Sequence, residues 1–101
     1  MAKKRIVWSK EARADFKATL EFYNERNGSS TYSRKLANQV FKATENLQTN
    51  NHLGISTSDP DVRVLIKDTF SIFYELKGEI ILVLIIWDSR RNPDELKKYL
   101  P

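Results

Sequence analysis

The sequence predicts an α+β domain in which a twisted antiparallel β-sheet packs against a hairpin of two helices. Two stretches with apolar residues at helical spacing occupy the first half of the chain. Three strand-like runs follow in the last third, and the final run, residues 80–87, contains only apolar residues. Helices that precede a meander of strands are typical of this class. The predicted order is therefore β-α-α-β-β-β, with a short helix at the C-terminus.

The first strand and the first helix are predicted from the residues at their boundaries. Arg5–Trp8 forms a short strand, and Ser9 is placed to cap the helix that follows. Glu11 lies in the first turn of that helix, where a negative charge is favourable, and Gly28 is a natural residue for its C-terminal end. Four residues at helical spacing predict its buried face: Ala12, Phe16, Leu20 and Tyr23.

The second helix is predicted over residues 31–47, after a serine placed to cap it. Its buried face is predicted from another set of residues at helical spacing: Leu36, Val40, Ala43 and Leu47, extended by Ala37, Phe41 and Thr44. The polar sides of both helices are rich in Lys, Arg and Glu. We therefore expect the two helices to pack as an antiparallel hairpin on the sheet.

A polar loop over residues 49–61 leads into the predicted meander. Residues 62–66 and 70–76 form its first two strands, and Lys77 and Gly78 turn the chain into the third. Because residues 80–87 are rich in β-branched side chains and have no polar break, we expect an interior strand covered on both faces. Residues 94–100, after Pro93, are predicted to form a short helix.

Composition limits the classes of function that are open to the chain. Its 101 residues have room for one domain, residues 1–101, with a modest core. The net charge of +4 favours an acidic partner. Without cysteine, and with His52 as the single histidine, the sequence excludes disulfides, cysteine-based metal sites and paired-histidine metal motifs, so we expect no metal and no cofactor. No secretory h-region follows the basic N-terminus, so we expect a cytoplasmic protein.

The strongest candidate for function is the cationic corner after the last strand. Arg90 and Arg91 follow the most apolar segment of the chain. At least one of them is therefore held on a rigid support, from which a guanidinium group can bind an anion. The alternative is a surface corner in which these arginines pair with Asp88 or Asp94 and contribute little to stability.

The other candidate residues also have structural alternatives. Arg63, on the first strand of the meander, is either functional or a solvated or ion-paired arginine. His52 is suited to proton transfer near neutral pH, but it lies in the predicted loop, where a solvated histidine is the simpler interpretation. Tyr99 supplies a hydroxyl group near the end of the chain or pins the C-terminal helix to the core. Tyr74 is expected in the core with its hydroxyl hydrogen-bonded.

Six segments follow one another in a fixed order between Ile6 and Pro93. They are Ile6-Val7-Trp8-Ser9-Lys10-Glu11-Ala12, Phe22-Tyr23-Asn24-Glu25-Arg26-Asn27, Leu53-Gly54, Val62-Arg63-Val64-Leu65, Ile72-Phe73-Tyr74, and Trp87 with Arg90-Arg91-Asn92-Pro93. In this order they resemble the RelE/ParE superfamily of toxins from bacterial toxin–antitoxin operons. The resemblance covers nearly the whole chain.

The resemblance implies the superfamily's fold, a toxin role in growth inhibition and plasmid stabilisation, and a cognate antitoxin as partner. The superfamily contains two mechanisms on one fold, so the fold alone does not decide between them. ParE-like members inhibit DNA gyrase, and RelE-like members cut ribosome-bound mRNA. The long helical hairpin and the closing Arg90-Arg91-Asn92-Pro93 look more like the ParE branch, which favours gyrase as the target.

In the alternative, RelE-like mechanism, the resemblance implies that Arg63 lies on the scissile phosphate with Arg90 or Arg91, and with Tyr99 nearby. Cleavage through the RNA 2′-hydroxyl needs a base and an acid. The sequence offers no obvious pair of this kind, which disfavours the nuclease. A third hypothesis, from another class, is an inactive relic that retains antitoxin binding and has lost toxicity.

Overall fold

Two helices pack on one face of a five-stranded sheet in the computed structural model, which describes residues 3–67 and 69–89. In chain order the elements are β1 (Arg5–Trp8), α1 (Lys10–Asn27), α2 (Thr31–Thr49), β2 (Ile55–Ser56), β3 (Val62–Ile66), β4 (Phe70–Lys77) and β5 (Ile80–Asp88). Buried side chains of both helices meet those of β3, β4 and β5 in one core. The predicted α+β class, a helical hairpin on a sheet, is confirmed.

The strands lie in the order β1-β5-β4-β3-β2. From β2 to β5, neighbouring strands pair antiparallel, as predicted for the meander. β1 instead pairs parallel with β5, so the sheet is mixed rather than fully antiparallel. Parallel neighbours need a long crossover connection, and the helices together with the meander supply it here.

β5 is the interior strand that its apolar sequence predicted, because β1 and β4 flank it. Burial is unequal on its two faces. Ile81, Val83 and Ile86 are buried on the side of the helices, whereas Leu82 and Ile85 are only half-buried. Both described helices lie on the side of Ile81, Val83 and Ile86.

Ser9 fixes the start of α1, as predicted. Its Oγ accepts a hydrogen bond from the backbone N–H of Ala12 at 3.0 Å, which is the bond of an N-cap. The same hydroxyl donates to the carbonyl of Leu84 at 3.0 Å. Leu84 is the extra residue of a β-bulge, since the register of β4 with β5 passes from Ile85 to Val83. Ser9 thus ties the first turn of α1 to the irregular point of the central strand.

Residues 28–30 join the two helices. Gly28 has a φ of 65°, a left-handed conformation that glycine adopts with little strain and that commonly ends a helix. Ser30 occupies the N-cap position of α2, but its side chain makes no capping hydrogen bond. Four of the predicted core residues of α2 are buried: Leu36, Val40, Ala43 and Leu47. Of the residues that extend this face, Thr44 is buried and Ala37 is half-buried.

Phe41 does not lie in the core, where its spacing placed it, because 50% of its surface is exposed. Its ring packs against the rings of Trp8 and Phe16, with centroids 6.3 and 6.1 Å away. The spacing of apolar residues along a helix does not distinguish the centre of its buried face from the edge of that face, and Phe41 lies at the edge. Phe41 therefore extends an aromatic cluster from the core to the surface beside β1.

β2 lies within residues 49–61, which were predicted as loop. It consists of Ile55 and Ser56, which pair with Val64 and Arg63 of β3. Both residues of β2 are exposed. A strand of two residues is too short to show the alternation by which strands are recognised.

The predicted C-terminal helix, residues 94–100, lies outside the described residues. Arg90, Arg91 and Tyr99 lie outside them as well. Within the described part of the chain, neither α1 nor α2 combines the length and the apolarity that a helix needs to cross a bilayer.

Replacing Ser9 by alanine removes both the N-cap bond to Ala12 and the bond to the carbonyl of Leu84. We expect Ser9→Ala to lower the free energy of unfolding by about 1–2 kcal/mol. Ser30→Ala is the matched control, because Ser30 holds the same helical position without a side-chain cap. It should change the free energy of unfolding by less than about 0.5 kcal/mol. Urea unfolding measures both, and equal losses would contradict the assignment of Ser9.

Candidate functional site

Arg63, the predicted functional residue of β3, holds the loop that precedes β2. Its Nε donates to the carbonyl oxygen of Gly54 at 3.0 Å. Its Nη2 donates to the same oxygen and, at 3.3 Å, to the carbonyl of His52. Hydrogen bonds from a charged donor are stronger than those between neutral groups. Much of the guanidinium group is therefore engaged within the protein.

Tyr74 holds the same loop from the neighbouring strand, β4, where it is the register partner of Arg63. Its side chain is fully buried. The hydroxyl donates to the carbonyl of Asn51 at 2.8 Å and accepts from the N–H of Gly54 at 2.9 Å. The expectation of a core tyrosine with a hydrogen-bonded hydroxyl is confirmed. Arg63 and Tyr74 thus bind the C=O and the N–H of one residue.

Gly54 is required where the loop meets the strands. A Cβ at this position would lie 2.8 Å from the hydroxyl oxygen of Tyr74 and 2.8 Å from the carbonyl oxygen of Val64. Side-chain carbon atoms do not approach other atoms so closely, so any other residue would push the loop away. We refer to Arg63 and Tyr74, with the backbone of residues 51–54, as the loop clamp.

His52 enters the loop clamp only through its carbonyl. The residue is exposed, and its imidazole makes no hydrogen bond to the described residues. In residues 3–67 and 69–89, no three His, Cys, Asp or Glu side chains are grouped so that they could hold a metal ion. The chemistry that this region offers is therefore cationic and hydrogen-bonding.

The end of β5 is tied to the helical hairpin. The hydroxyl of Tyr23, a buried residue of α1, donates to a carboxylate oxygen of Asp88 at 2.7 Å. The Tyr23 ring packs against that of Tyr32 in α2, with centroids 4.8 Å apart. Arg90 follows Asp88 by two positions in the sequence. This bond therefore fixes Asp88, the last residue of β5, against α1.

Two buried polar atoms near this point lack hydrogen bonds within the described part of the chain. They are Oγ of Ser71 and Nε1 of Trp87, which belong to register partners on β4 and β5. Buried polar groups without a partner are uncommon, because each one costs stability. Near the end of β5 there are thus two buried donors without a partner in the described part of the chain.

Arg63 binds the loop before β2 and makes no hydrogen bond or ion pair with Asp88, the last residue of β5, which precedes Arg90 by two positions. The positions of Arg90, Arg91 and Tyr99 fall outside the described residues, so their roles remain predictions. Sequence reasoning missed the loop clamp as a unit. Two features of the sequence could have indicated it. Gly54 follows Leu53 in a polar loop, and Tyr74, predicted in the core, needs hydrogen-bond partners for its hydroxyl.

Comparison with known proteins shows the relatives of this chain. The family model that describes the ParE toxin of the type II toxin–antitoxin system, parDE, matches residues 6–93. A solved structure of the chromosomal ParDE toxin–antitoxin system from P. aeruginosa is similar, with 26% sequence identity and a TM-score of 0.73. The match covers 85% of this chain and 96% of that chain. The search of curated proteins found no match.

Arg63→Ala and Tyr74→Phe should each lower the free energy of unfolding by about 1–3 kcal/mol, because each leaves loop backbone groups without a partner. Both hold the same loop. The double variant should therefore lose less than the sum of the two, by about 0.5 kcal/mol or more. A double-mutant cycle in urea measures this coupling.

The matched control for this cycle is Lys67→Ala. Lys67 is a second basic residue near the end of β3, it is exposed, and its side chain makes no bond to the described residues. Its effect should be small and should add to that of Tyr74→Phe. Full additivity of Arg63→Ala with Tyr74→Phe would show that the two side chains act independently.

Proposed function

The chain belongs to the ParE toxin family of type II toxin–antitoxin systems, and we propose that it inhibits DNA gyrase while a cognate antitoxin holds it inactive. The observation that carries this proposal is the family match over residues 6–93, which includes the helical hairpin, the loop clamp and the arginine corner. A gyrase inhibitor acts where gyrase acts, so the proposed location is the cytoplasm.

The state of Arg63 supports gyrase rather than mRNA as the target. A nuclease would use a guanidinium group to stabilise charge that develops on the scissile phosphate. The Nε and Nη2 atoms of Arg63 are bound to loop carbonyls instead. The residues left for RelE-like cleavage are Arg90, Arg91 and Tyr99, and the family match ends before Tyr99. In addition, the imidazole of His52 is exposed and has no partner among the described residues with which to transfer a proton.

An antitoxin as partner is supported by the solved ParDE structure and by the surface of this chain. The net charge of +4 favours an acidic segment. Ile55 and Ile66 are 52% and 45% exposed and belong to the strands at the β2 end of the sheet. Large exposed aliphatic side chains are suited to a partner that covers them.

Expression of the chain with and without the adjacent antitoxin reading frame tests the toxin role. We expect growth arrest from the toxin alone and recovery when both are expressed. Supercoiling by purified gyrase should be inhibited, and primer extension on ribosome-bound messages should show no cleavage. Cleavage with unaffected supercoiling would establish the RelE-like mechanism instead. Normal growth in both cultures, with antitoxin still bound, would identify an inactive relic.

We predict that the double substitution Arg90→Ala with Arg91→Ala abolishes toxicity and leaves the fold intact. A surface charge at the end of a strand typically changes the free energy of unfolding by less than about 0.5 kcal/mol. Loss of a positioned guanidinium group removes charge-assisted contacts with the target. Growth arrest and melting temperature, measured side by side, separate the two effects.

Lys10→Ala with Arg13→Ala is the control for that experiment. Both residues are exposed on α1, and the variant loses the same two positive charges. It should remain toxic. Full toxicity of the Arg90 and Arg91 variant would show that the corner does not meet the target, and equal loss in both variants would point to overall charge.

A further inference from the structure

The outer side of α2 carries a shallow cationic groove of about 600 Å³. Its six lining residues are all polar and exposed: Thr31, Arg34, Lys35, Asn38, Gln39 and Lys42. We call this surface the α2 groove. No aliphatic or aromatic side chain lines it. It therefore lacks the apolar contacts typical of protein interfaces and the aromatic rings on which the bases of single-stranded nucleic acids stack.

Charge is distributed differently on the two helices. α1 mixes basic and acidic residues in equal number, and its Lys17 pairs with Glu21 at 4.0 Å. α2 has three basic residues in the groove and a single acid, Glu45, outside its lining. Of the two helices, only α2 therefore carries a net positive charge.

The hydrogen-bonding groups of the α2 groove are free to bind. The side chains of Lys35, Asn38, Gln39 and Lys42 make no hydrogen bond or ion pair with residues 3–67 and 69–89. Arg34 donates through Nε to the carbonyl of Ser30, at the long distance of 3.4 Å, and its terminal amino groups bind none of the described residues. Apart from Nε of Arg34, the groove thus presents side-chain donors that have no partner in the described part of the chain.

A second cationic surface lies at the other end of the same helix. The N–H of Lys4 donates to the carbonyl of Gln48 at 3.1 Å, and Nε2 of Gln48 donates to the carbonyl of Lys4 at 3.0 Å. These bonds hold Lys3, Lys4 and Arg5 around an open concavity that Glu79 also lines. From Lys35 to Gln48 the helix rises about 20 Å, so cations lie near both ends of α2.

We infer that the α2 groove binds the phosphate backbone of duplex DNA. An α-helix with its side chains is about as wide as the major groove of B-DNA, about 12 Å, whereas the deep and narrow major groove of duplex RNA excludes it. Lysine and arginine bind phosphates, and carboxamides such as those of Asn38 and Gln39 reach phosphates or base edges. The inference stands on these residues and does not require gyrase to be the target.

The test measures binding of the purified chain to a labelled duplex DNA of about 20 base pairs, which is longer than α2, between about 50 and about 200 mM salt. One variant combines Arg34→Gln, Lys35→Gln and Lys42→Gln. The control combines Lys10→Gln, Arg13→Gln and Lys17→Gln on α1 and removes the same charge. Glutamine is a good helix former, so both variants should melt like the wild type.

We expect the wild type and the α1 control to bind with similar affinity and similar salt dependence. The α2 variant should bind about tenfold or more weakly, and the slope of log K against log salt should fall by about 0.9 for each lost phosphate contact. Equal weakening of both variants would overturn the inference, because net charge would then explain the binding. Absence of wild-type binding at the lowest salt would overturn it as well.

Competition identifies the ligand class in the same assay. Unlabelled duplex DNA should displace the probe, and a polyglutamate of equal charge should not. Displacement by polyglutamate at the same concentration would show that the groove serves an acidic protein. Tighter binding of a single-stranded or duplex RNA of the same length would show that DNA is not its ligand. Each of these results would overturn the assignment, whatever the outcome of the gyrase assay.

Discussion

The backbone of β5 is hydrogen-bonded along both edges, to β1 on one side and to β4 on the other. An apolar interior strand must satisfy its backbone groups within the sheet, because water does not reach them. This requirement brings Arg5 from the start of the chain opposite Ile80 near its end. It also orders β4, β3 and the loop clamp outwards from β5, one strand at a time. The positions of the helices and of the clamped loop both derive from this central strand.

The elements of the fold that the sequence predicts are those with strong local signals. Ser9 and Gly28 marked the ends of α1 because capping chemistry involves only neighbouring residues. The parallel pairing of β1 could not be predicted in this way, since four residues do not specify which distant strand they join. β2 was missed because a pair of residues shows no period. Phe41 was misplaced because the helical period does not distinguish the middle of a buried stripe from its margin.

The candidate site was harder to predict than the fold. Arg63 was recognised as a residue of interest, but its partners are carbonyl oxygens, which every residue has and which therefore leave no mark in a sequence. Tyr74 was correctly placed in the core because a large aromatic residue in an apolar strand has few alternatives. The α2 groove was not recognised, since its basic residues match those of any solvated helix. Only the structure shows that they form no ion pair with the described residues, whereas Lys17 of α1 pairs with Glu21.

α1 is attached to the central strand at two widely separated points. Ser9 binds the Leu84 carbonyl at the start of the helix, and Tyr23 binds Asp88 more than three turns later. A helix held by apolar contacts alone can slide or rotate by small steps. A helix with directional hydrogen bonds near its start and in its second half moves together with the strand instead. A movement of the hairpin is then transmitted through the Tyr23–Asp88 bond to the last residue of β5. A protein that binds the hairpin therefore also acts on Asp88, at the end of β5.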